Sequence, residues 1–209
     1  MQLRTRPERQ RLMHGEADKL EQAVRESYSA AAEKPAQKHP FPLGRQFALE
    51  LGYPAEVLDD LPRVAVDAFT GVSNVAIFAS LFARAQVLDL GCGAGLDSLI
   101  AARRVGSGGF VLGMDFSGGM LARARRAAAQ AGVENAGFCR AEAGRIPLRD
   151  ATADVALVNG IFNLNPKRER IFKELARVVR PGGALFAAEL ILREPLSAQE
   201  RADQRNWFA

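Results

Sequence analysis

A short apolar stretch that runs into three closely spaced glycines most constrains how this chain can fold. Residues 87–90 read Val-Leu-Asp-Leu, which is typical of a strand covered on both faces in a parallel sheet. Gly91, Gly93 and Gly95 follow, and glycines accept positive φ angles and let a ligand lie against bare backbone. Because residues 96–104 are predicted to be helical, the turn ends at the free N–H groups of a helix. The pattern predicts a nucleotide-like ligand site at the carboxyl end of a strand.

Strands and helices alternate after residue 84. Strands are predicted over residues 87–90, 110–114, 136–141, 154–159 and 184–192, with helices over 96–104, from Ser117 as N-cap to Gly132, and over 167–180. Strands joined by helical crossovers form parallel sheets with helices on both faces. The predicted fold is therefore a three-layer α/β/α sandwich with a Rossmann-like, mostly parallel sheet.

The N-terminal third has a different pattern and is predicted to be a helical cap. Helices are predicted over residues 16–32, 44–51, 54–58 and 62–69, with a proline-rich loop over 33–43 and a polar turn over 71–74. We expect residues 1–83 to form this cap and residues 84–209 to form the ligand-binding domain. A capping box at Ser197 and Glu200 predicts one further helix. The cap aromatics are expected in the core or along an acceptor pocket: Phe41, Phe47, Tyr53, Phe69 and Phe78.

The composition indicates a globular protein and argues against a membrane-spanning or disulfide-rich one. The chain has 209 residues, 48% of them hydrophobic, which suits a globular domain with a sizeable core. The longest apolar run, residues 75–83, is too short to cross a bilayer, and no signal peptide is evident. Only Cys92 and Cys139 are present, so no disulfide framework is expected. These features predict a cytoplasmic protein without a membrane partner. The net charge of +4 comes largely from scattered arginines, so we expect no nucleic-acid binding.

Asp115 ends the second predicted strand, 24 residues after Gly91. A carboxylate there can accept hydrogen bonds from both hydroxyls of a ribose, although it could instead only cap the helix that begins at Ser117. A dinucleotide-binding turn would carry a third glycine where this chain has Leu96. An NAD-dependent oxidoreductase is therefore the weakest alternative.

Five segments in order resemble the class I S-adenosylmethionine (SAM) methyltransferases. They are VLDLGCGAG, VLGMDFS, CRAEAGRIP, DVALVNG and LARVVRPGG, spread over residues 87–190. The resemblance implies SAM as cofactor. It also implies cofactor-binding residues at the ends of four strands: Asp89, Gly91, Cys92, Gly93 and Gly95, then Asp115, Phe116 and Met120, then Glu142 and Ala143, and finally Asn159.

The resemblance also implies a role for each group. Asp115 would hold the ribose and Phe116 would cover the adenine. Glu142 would receive the adenine N6 amine, or else be a solvated loop residue, and Ala143 would offer its backbone N–H to the ring. The glycine turn would pack under the methionine part, with Asp89 supporting the loop and the amino group. Asn159 would accept the ammonium through its backbone and line the methyl-transfer channel.

Arsenite methyltransferases are the most similar subgroup. Residues 159–166, the turn at 71–74 and the pair Asp97-Ser98 resemble theirs. Those enzymes hold trivalent arsenic with cysteine thiolates, because a soft ion needs soft ligands. Here Gly160 stands where their strand-4 cysteine would be, and residues 28–44 contain no cysteine.

The predicted function is methyl transfer from SAM to a small-molecule acceptor. Arsenite methylation and a non-catalytic or truncated SAM-binding protein are the alternatives. No His, Asp or Glu stands out as an obligatory base, so the catalytic residues are unassigned, and no metal site is expected. By the resemblance, two further strands would follow at the C-terminal edge of the sheet, and we expect this sequence to lack them. The chain is then a fragment, or the exposed edge is covered by the N-terminal helices or by a partner, for instance in a homodimer.

Overall fold

The computed structural model describes residues 22–165, 167–191 and 194. Five parallel strands form one sheet in the order β3-β2-β1-β4-β5. They are β1 (Gln86–Leu90), β2 (Phe110–Asp115), β3 (Ala136–Arg140), β4 (Ala153–Asn159) and β5 (Val179–Ala188). The helices are α1 (residues 22–33), α2 (Arg45–Glu50), α3 (Ala55–Asp59), α4 (Arg63–Val66), α5 (Val75–Phe78), α6 (Leu96–Val105), α7 (Gly118–Gln130) and α8 (Arg168–Val178).

Adjacent residues of β1 divide the core into two layers. Val87 packs with α6, α7 and the short cap helices, whereas Leu88 and Leu90 pack with the α8 residues Ile171 and Leu175. This is the alternation expected of a strand buried on both faces. The three-layer, Rossmann-like architecture predicted from the sequence is confirmed.

The start of α7 follows a local signal. The side chain of Ser117 accepts a hydrogen bond from the backbone N–H of Met120, as predicted for the N-cap of α7. The described part of α1 agrees with the predicted helix, whose first residues lie outside the described residues. The capping box at Ser197 and Glu200 also lies outside them. Helix α5 was not predicted, because its four residues lie within a short apolar run that has no helical periodicity.

The start of β5 differs from the prediction. Helix α8 ends at Val178 instead of residue 180, and β5 begins at Val179 instead of residue 184. Val179 pairs with Ala153, while Ala184 pairs with Val155, so the residues between form a bulge. Gly182 takes a φ of 78° there, which glycine accepts without strain. No helix in the described part of the chain is long and apolar enough to span a membrane.

Candidate functional site

One cavity opens at the carboxyl ends of β1, β2 and β4, between the sheet, α1 and the loop before α5. It encloses about 1100 Å³ of empty space, part of which is open to solvent. Nine of the eleven predicted cofactor-binding residues line it: Asp89, Gly91, Cys92, Gly93, Asp115, Phe116, Glu142, Ala143 and Asn159. The crevice outside the strand ends is where open α/β sheets bind nucleotides.

Gly95 and Met120 do not line this cavity. Gly95 precedes α6 with a φ of 89°, and a Cβ atom there would lie 3.0 Å from the Cβ of Ala124, so it allows α6 and α7 to approach. Met120 is fully buried in a cluster with Ala31 and Phe41, where it joins α7 to the cap. Both residues therefore contribute to the packing around the cavity and do not form its wall.

The glycine turn has the backbone that its sequence requires. Gly91 and Gly93 take φ angles of 79° and 52°, which side chains other than glycine rarely adopt. A Cβ atom on Gly91 would lie 2.6 Å from Cγ2 of Ile161, whereas Gly93 faces open space on its Cβ side. The turn thus presents bare backbone to the cavity.

Asp115 joins β2 to this turn. Its Oδ2 accepts a hydrogen bond from the Gly93 N–H at 2.9 Å, and its Oδ1 accepts one from the Ser117 N–H at 2.8 Å. Burial raises the pKa of this carboxyl group. Each carboxylate oxygen accepts more than one hydrogen bond, so both can still accept from a ligand diol.

Two further carboxyl groups lie beside the turn. Asp89 accepts a hydrogen bond from the Ser98 hydroxyl, and Asp97 accepts one from the Tyr53 hydroxyl at 2.6 Å. Burial, and then the charge of Asp97, raise the pKa of Asp89 to about 8, and burial also raises the pKa of Asp97. Among the ion pairs between described residues, none includes Asp89, Asp97 or Asp115. A cationic ligand would offset the cost of this buried negative charge.

Glu142 already has a cationic neighbour. Its carboxylate pairs with Arg25 of α1 at 2.5 Å, and the Arg25 guanidinium lies 5.6 Å from the centre of the Phe116 ring. Tyr28, one turn further along α1, contacts the same ring edge-on with 6.1 Å between ring centres. The described part of α1 therefore forms a roof over the end of the cavity at β2 and β3.

The Asn159 side chain is fully occupied by contacts within the protein. Its Oδ1 accepts hydrogen bonds from the N–H groups of Val72 and Ser73, at 2.8 and 3.1 Å. Its Nδ2 donates to the Ser73 carbonyl oxygen at 2.7 Å and to Asp97 at 2.9 Å. All four hydrogen-bonding positions of the amide are thus used to hold the cap.

The structure explains the glycine that follows. Gly160 takes a φ of 76°, and a Cβ atom there would lie 2.9 Å from Cγ1 of Val72. A cysteine side chain does not fit at this position unless the Val72 side chain shifts. Cys92 is buried with a raised pKa, and among the described residues no three His, Cys, Asp or Glu side chains are placed to hold a metal ion.

Several lining residues were not predicted from the sequence. Arg25, Tyr28 and Thr70 of the cap and Asp97 of α6 reach the cavity. The sequence shows Asp97 only as part of a pair that resembles arsenite methyltransferases. The amphipathic pattern of α1 identifies its apolar face but not what that face covers. Of the cap aromatics, Phe69 lines the cavity, while Tyr53 and Phe41 are buried and Phe78 is 47% exposed.

The parallel sheet, the glycine turn and the acids at successive strand ends define a class I, Rossmann-like nucleotide-binding fold. The chain belongs to the family of SAM-dependent methyltransferase domains, since a family model described as a methyltransferase domain matches residues 81–208.

Individual relatives place the chain close to arsenite methyltransferases. It is 36% identical over 155 residues to an arsenite methyltransferase of Halobacterium salinarum, covering 73% of this chain and 39% of the relative. It is 35% identical over 120 residues to a phosphatidylethanolamine N-methyltransferase of Cereibacter sphaeroides, covering 56% and 57%. The solved structure of CrArsM, an arsenic(III) SAM methyltransferase from Chlamydomonas reinhardtii, aligns with a TM-score of 0.59 and 28% identity over 77% of this chain and 54% of that one. The chain thus spans between two fifths and three fifths of these relatives.

Proposed function

We propose that this chain binds SAM and transfers its methyl group to a small-molecule acceptor. The observation that carries the proposal is the set of three buried carboxyl groups, Asp89, Asp97 and Asp115, beside one glycine turn. SAM has a sulfonium, an ammonium and a ribose diol, so this donor and acceptor pattern fits it. The membership of the methyltransferase domain family supports the same assignment.

The proposed orientation follows the strand order. Asp115 accepts from the ribose, while Phe116, Glu142 and Ala143 surround the adenine at the β2 and β3 end of the cavity. The glycine turn and Asp89 hold the methionine part. The Asn159 backbone, at the end of β4, faces the ammonium.

When bound, SAM supplies an electrophilic methyl group on a positively charged sulfur. The residues of this chain bind and orient it, and the buried carboxyl groups favour the binding of a cationic ligand. The cap covers the other side of the cavity, so the two reactants are held together. The acceptor wall combines apolar groups with hydroxyls and an amide, namely Tyr28, Phe69, Thr70, Leu164 and Asn165. This lining supports a small, partly apolar acceptor without an anionic group.

Arsenite methylation is the second candidate, because two of the relatives above carry that name. The site offers little to bind trivalent arsenic. No thiol stands at position 160, where a Cβ atom would lie 2.9 Å from Val72, and the Cys92 thiol is buried in the glycine turn with a raised pKa. We therefore favour an acceptor that is bound without cysteine ligands.

We also propose the cytoplasm as the location, and the division into a cap over residues 1–83 and a SAM-binding domain over residues 84–209. The free thiols of Cys92 and Cys139 support a reducing compartment.

A homodimer that covers the β5 edge is supported by Leu185, which is 41% exposed on that strand. Sedimentation of the wild type and of Leu185→Lys tests the dimer.

A methyl-transfer screen tests the proposed function. The purified chain is incubated with SAM carrying a labelled methyl group and with panels of amines, phenols, quinols and arsenite with thiol. We expect turnover with at least one organic acceptor, and a lower rate with Asp115→Asn than with the surface variant Asp150→Asn. Binding of SAM without transfer to any acceptor would favour the non-catalytic alternative. Turnover with arsenite alone would favour the second candidate.

A further inference from the structure

One hydrogen-bonded cluster connects the helical cap to the wall of the cavity. We call it the cap latch, and it comprises the side chains of Tyr53, Asp97 and Asn159 together with the loop of residues 71–76. These side chains come from the loop before α3, from the first turn of α6 and from the end of β4. Tyr53 is 2% exposed and Asp97 is 6% exposed, whereas Asn159 and residues 71–74 are half-buried.

Asp97 is the centre of the latch. Its Oδ1 accepts hydrogen bonds from the Tyr53 hydroxyl at 2.6 Å and from the Ala76 N–H at 3.3 Å, and its Oδ2 accepts from Asn159 at 2.9 Å. One carboxyl group therefore holds three separate segments of the chain. Hydrogen bonds to a buried charged group are among the stronger ones in proteins.

The loop is held from a second side by Asn159. Its amide binds the N–H groups of Val72 and Ser73 and the carbonyl oxygen of Ser73. The Tyr53 hydroxyl oxygen also lies 3.1 Å from that carbonyl oxygen, but its single proton is donated to Asp97. Gly71 makes this approach possible. A Cβ atom there would lie 2.5 Å from Nδ2 and 2.8 Å from Cγ of Asn159.

The latch lies at one end of the cavity. Gly71, Asp97 and Asn159 all line the cavity on the side of β1 and β4. Asp115, Phe116 and Glu142 line the opposite side, at β2 and β3, and they take no part in the latch. Changes in the latch should therefore affect one half of a bound cofactor and leave the other half unaffected.

We propose that Asp97 is a positioning residue, which through the cap latch fixes the loop of residues 71–76 against the end of the cavity that receives the methionine part of SAM. The proposal rests on the proposed function for the identity of the ligand. The latch itself rests only on the hydrogen bonds described here. In this arrangement the cap forms part of the methionine site in addition to covering the cavity.

Two ligands distinguish the two halves of the cavity. S-adenosylhomocysteine, the demethylated product, occupies both halves, whereas adenosine occupies only the half at β2 and β3. Calorimetric titrations compare the wild type with Tyr53→Phe and Gly71→Ala. The first variant removes one donor to Asp97, and the second displaces Asn159 without removing a hydrogen-bonding group. Asn135→Ala is the control, because it removes two hydrogen bonds at the C-terminal end of α6, to the carbonyls of Ala102 and Gly106, away from the cavity.

We expect both latch variants to weaken the binding of S-adenosylhomocysteine about tenfold, since each disturbs a hydrogen bond to a buried charge. Adenosine affinity should stay within about twofold, because adenosine occupies only the half of the cavity that takes no part in the latch. The control should change neither affinity. Equal weakening of both ligands, or no weakening of either, would overturn the proposal.

Hydrogen exchange gives a readout that needs no ligand. The amides of Val72, Ser73 and Ala76 should exchange faster in Tyr53→Phe and Gly71→Ala, and at the wild-type rate in Asn135→Ala. Unchanged exchange in the latch variants would show that the latch does not hold the loop. If the folded wild type bound neither ligand, the proposed function would fail, and the exchange rates would still decide on the latch.

Discussion

The Ser98 hydroxyl donates a hydrogen bond to the Asp89 carboxyl group at a distance of 2.5 Å, and both side chains are almost completely buried. This bond favours the charged form of Asp89. Burial and the neighbouring charge of Asp97 outweigh it, so that the pKa of Asp89 rises from 3.8 to about 8. At neutral pH the folded protein therefore holds a proton that the unfolded chain has lost.

The first prediction concerns stability and pH. Because the folded pKa of Asp89 is the higher one, its contribution to stability is complete below about pH 4 and is lost as the pH rises to about 8. The free energy of unfolding should therefore fall across this window more steeply in the wild type than in Asp89→Asn. Urea denaturation at several pH values measures the difference, with the exposed Asp150→Asn as control. Parallel pH profiles for wild type and Asp89→Asn would contradict the assignment.

The second prediction concerns protons released on binding. If Asp89 faces the ammonium of SAM, the bound cation lowers the pKa of this carboxyl group, and a proton leaves at neutral pH. Calorimetry in buffers of low and high ionisation enthalpy should then give different apparent enthalpies for the wild type. The difference should shrink in Asp89→Asn. Equal buffer dependence in both proteins would mean that the proton released on binding comes from a group other than Asp89.

The third prediction separates backbone strain from steric conflict. Gly160 and Gly182 have φ angles of 76° and 78°, but only Gly160 has a close neighbour on its Cβ side, in Val72. Gly182→Ala should cost about 1 kcal/mol of unfolding free energy, from the left-handed backbone alone. Gly160→Ala should cost about 2–3 kcal/mol, because the Val72 side chain must also move. Equal losses on urea denaturation would mean that Val72 moves freely and that a cysteine could fit here.

The fourth prediction concerns Glu142. Its ion pair with Arg25 is exposed, with 43% and 60% of the two side chains accessible, so Glu142→Gln should change stability by less than about 0.5 kcal/mol. If this carboxylate receives the adenine N6 amine, the affinity for S-adenosylhomocysteine should fall about threefold to tenfold. Glu134→Gln, on the exposed turn after α7, is the matched control. An unchanged affinity in Glu142→Gln would mean that Glu142 does not contact the adenine.

Local patterns were sufficient to predict the sheet. Buried strands such as residues 87–90 and the N-cap at Ser117 depend on nearby sequence, and the structure has both. The bulge after Val179 was missed because its register is set by pairing with β4, and the helix α5 was missed because it is stabilised by packing on α6 and the sheet. Tertiary contacts override local propensity in such short segments.

Only part of the site was predictable from the sequence, because several of its contacts join residues that are far apart in the chain. Nine predicted residues line the cavity because the carboxyl ends of parallel strands meet at one edge of the sheet. The partners of the Asn159 side chain lie 62, 86 and 87 residues earlier in the chain, and the Arg25–Glu142 pair spans 117 residues. The periodicities of helices and strands relate residues only a few positions apart, so they do not predict these contacts. The burial of Met120 depends in the same way on where the cap packs against α7.

Calorimetric titration of SAM, S-adenosylhomocysteine and NAD into the purified chain is the most direct test of the central claim. We predict dissociation constants on the order of micromolar for SAM and its demethylated product, and no measurable binding of NAD. Asp115→Asn should weaken both SAM ligands by about tenfold or more, because a buried acceptor for the ribose diol is lost, while Asp150→Asn should not. Failure of the folded wild type to bind SAM, or tighter binding of NAD, would contradict the account.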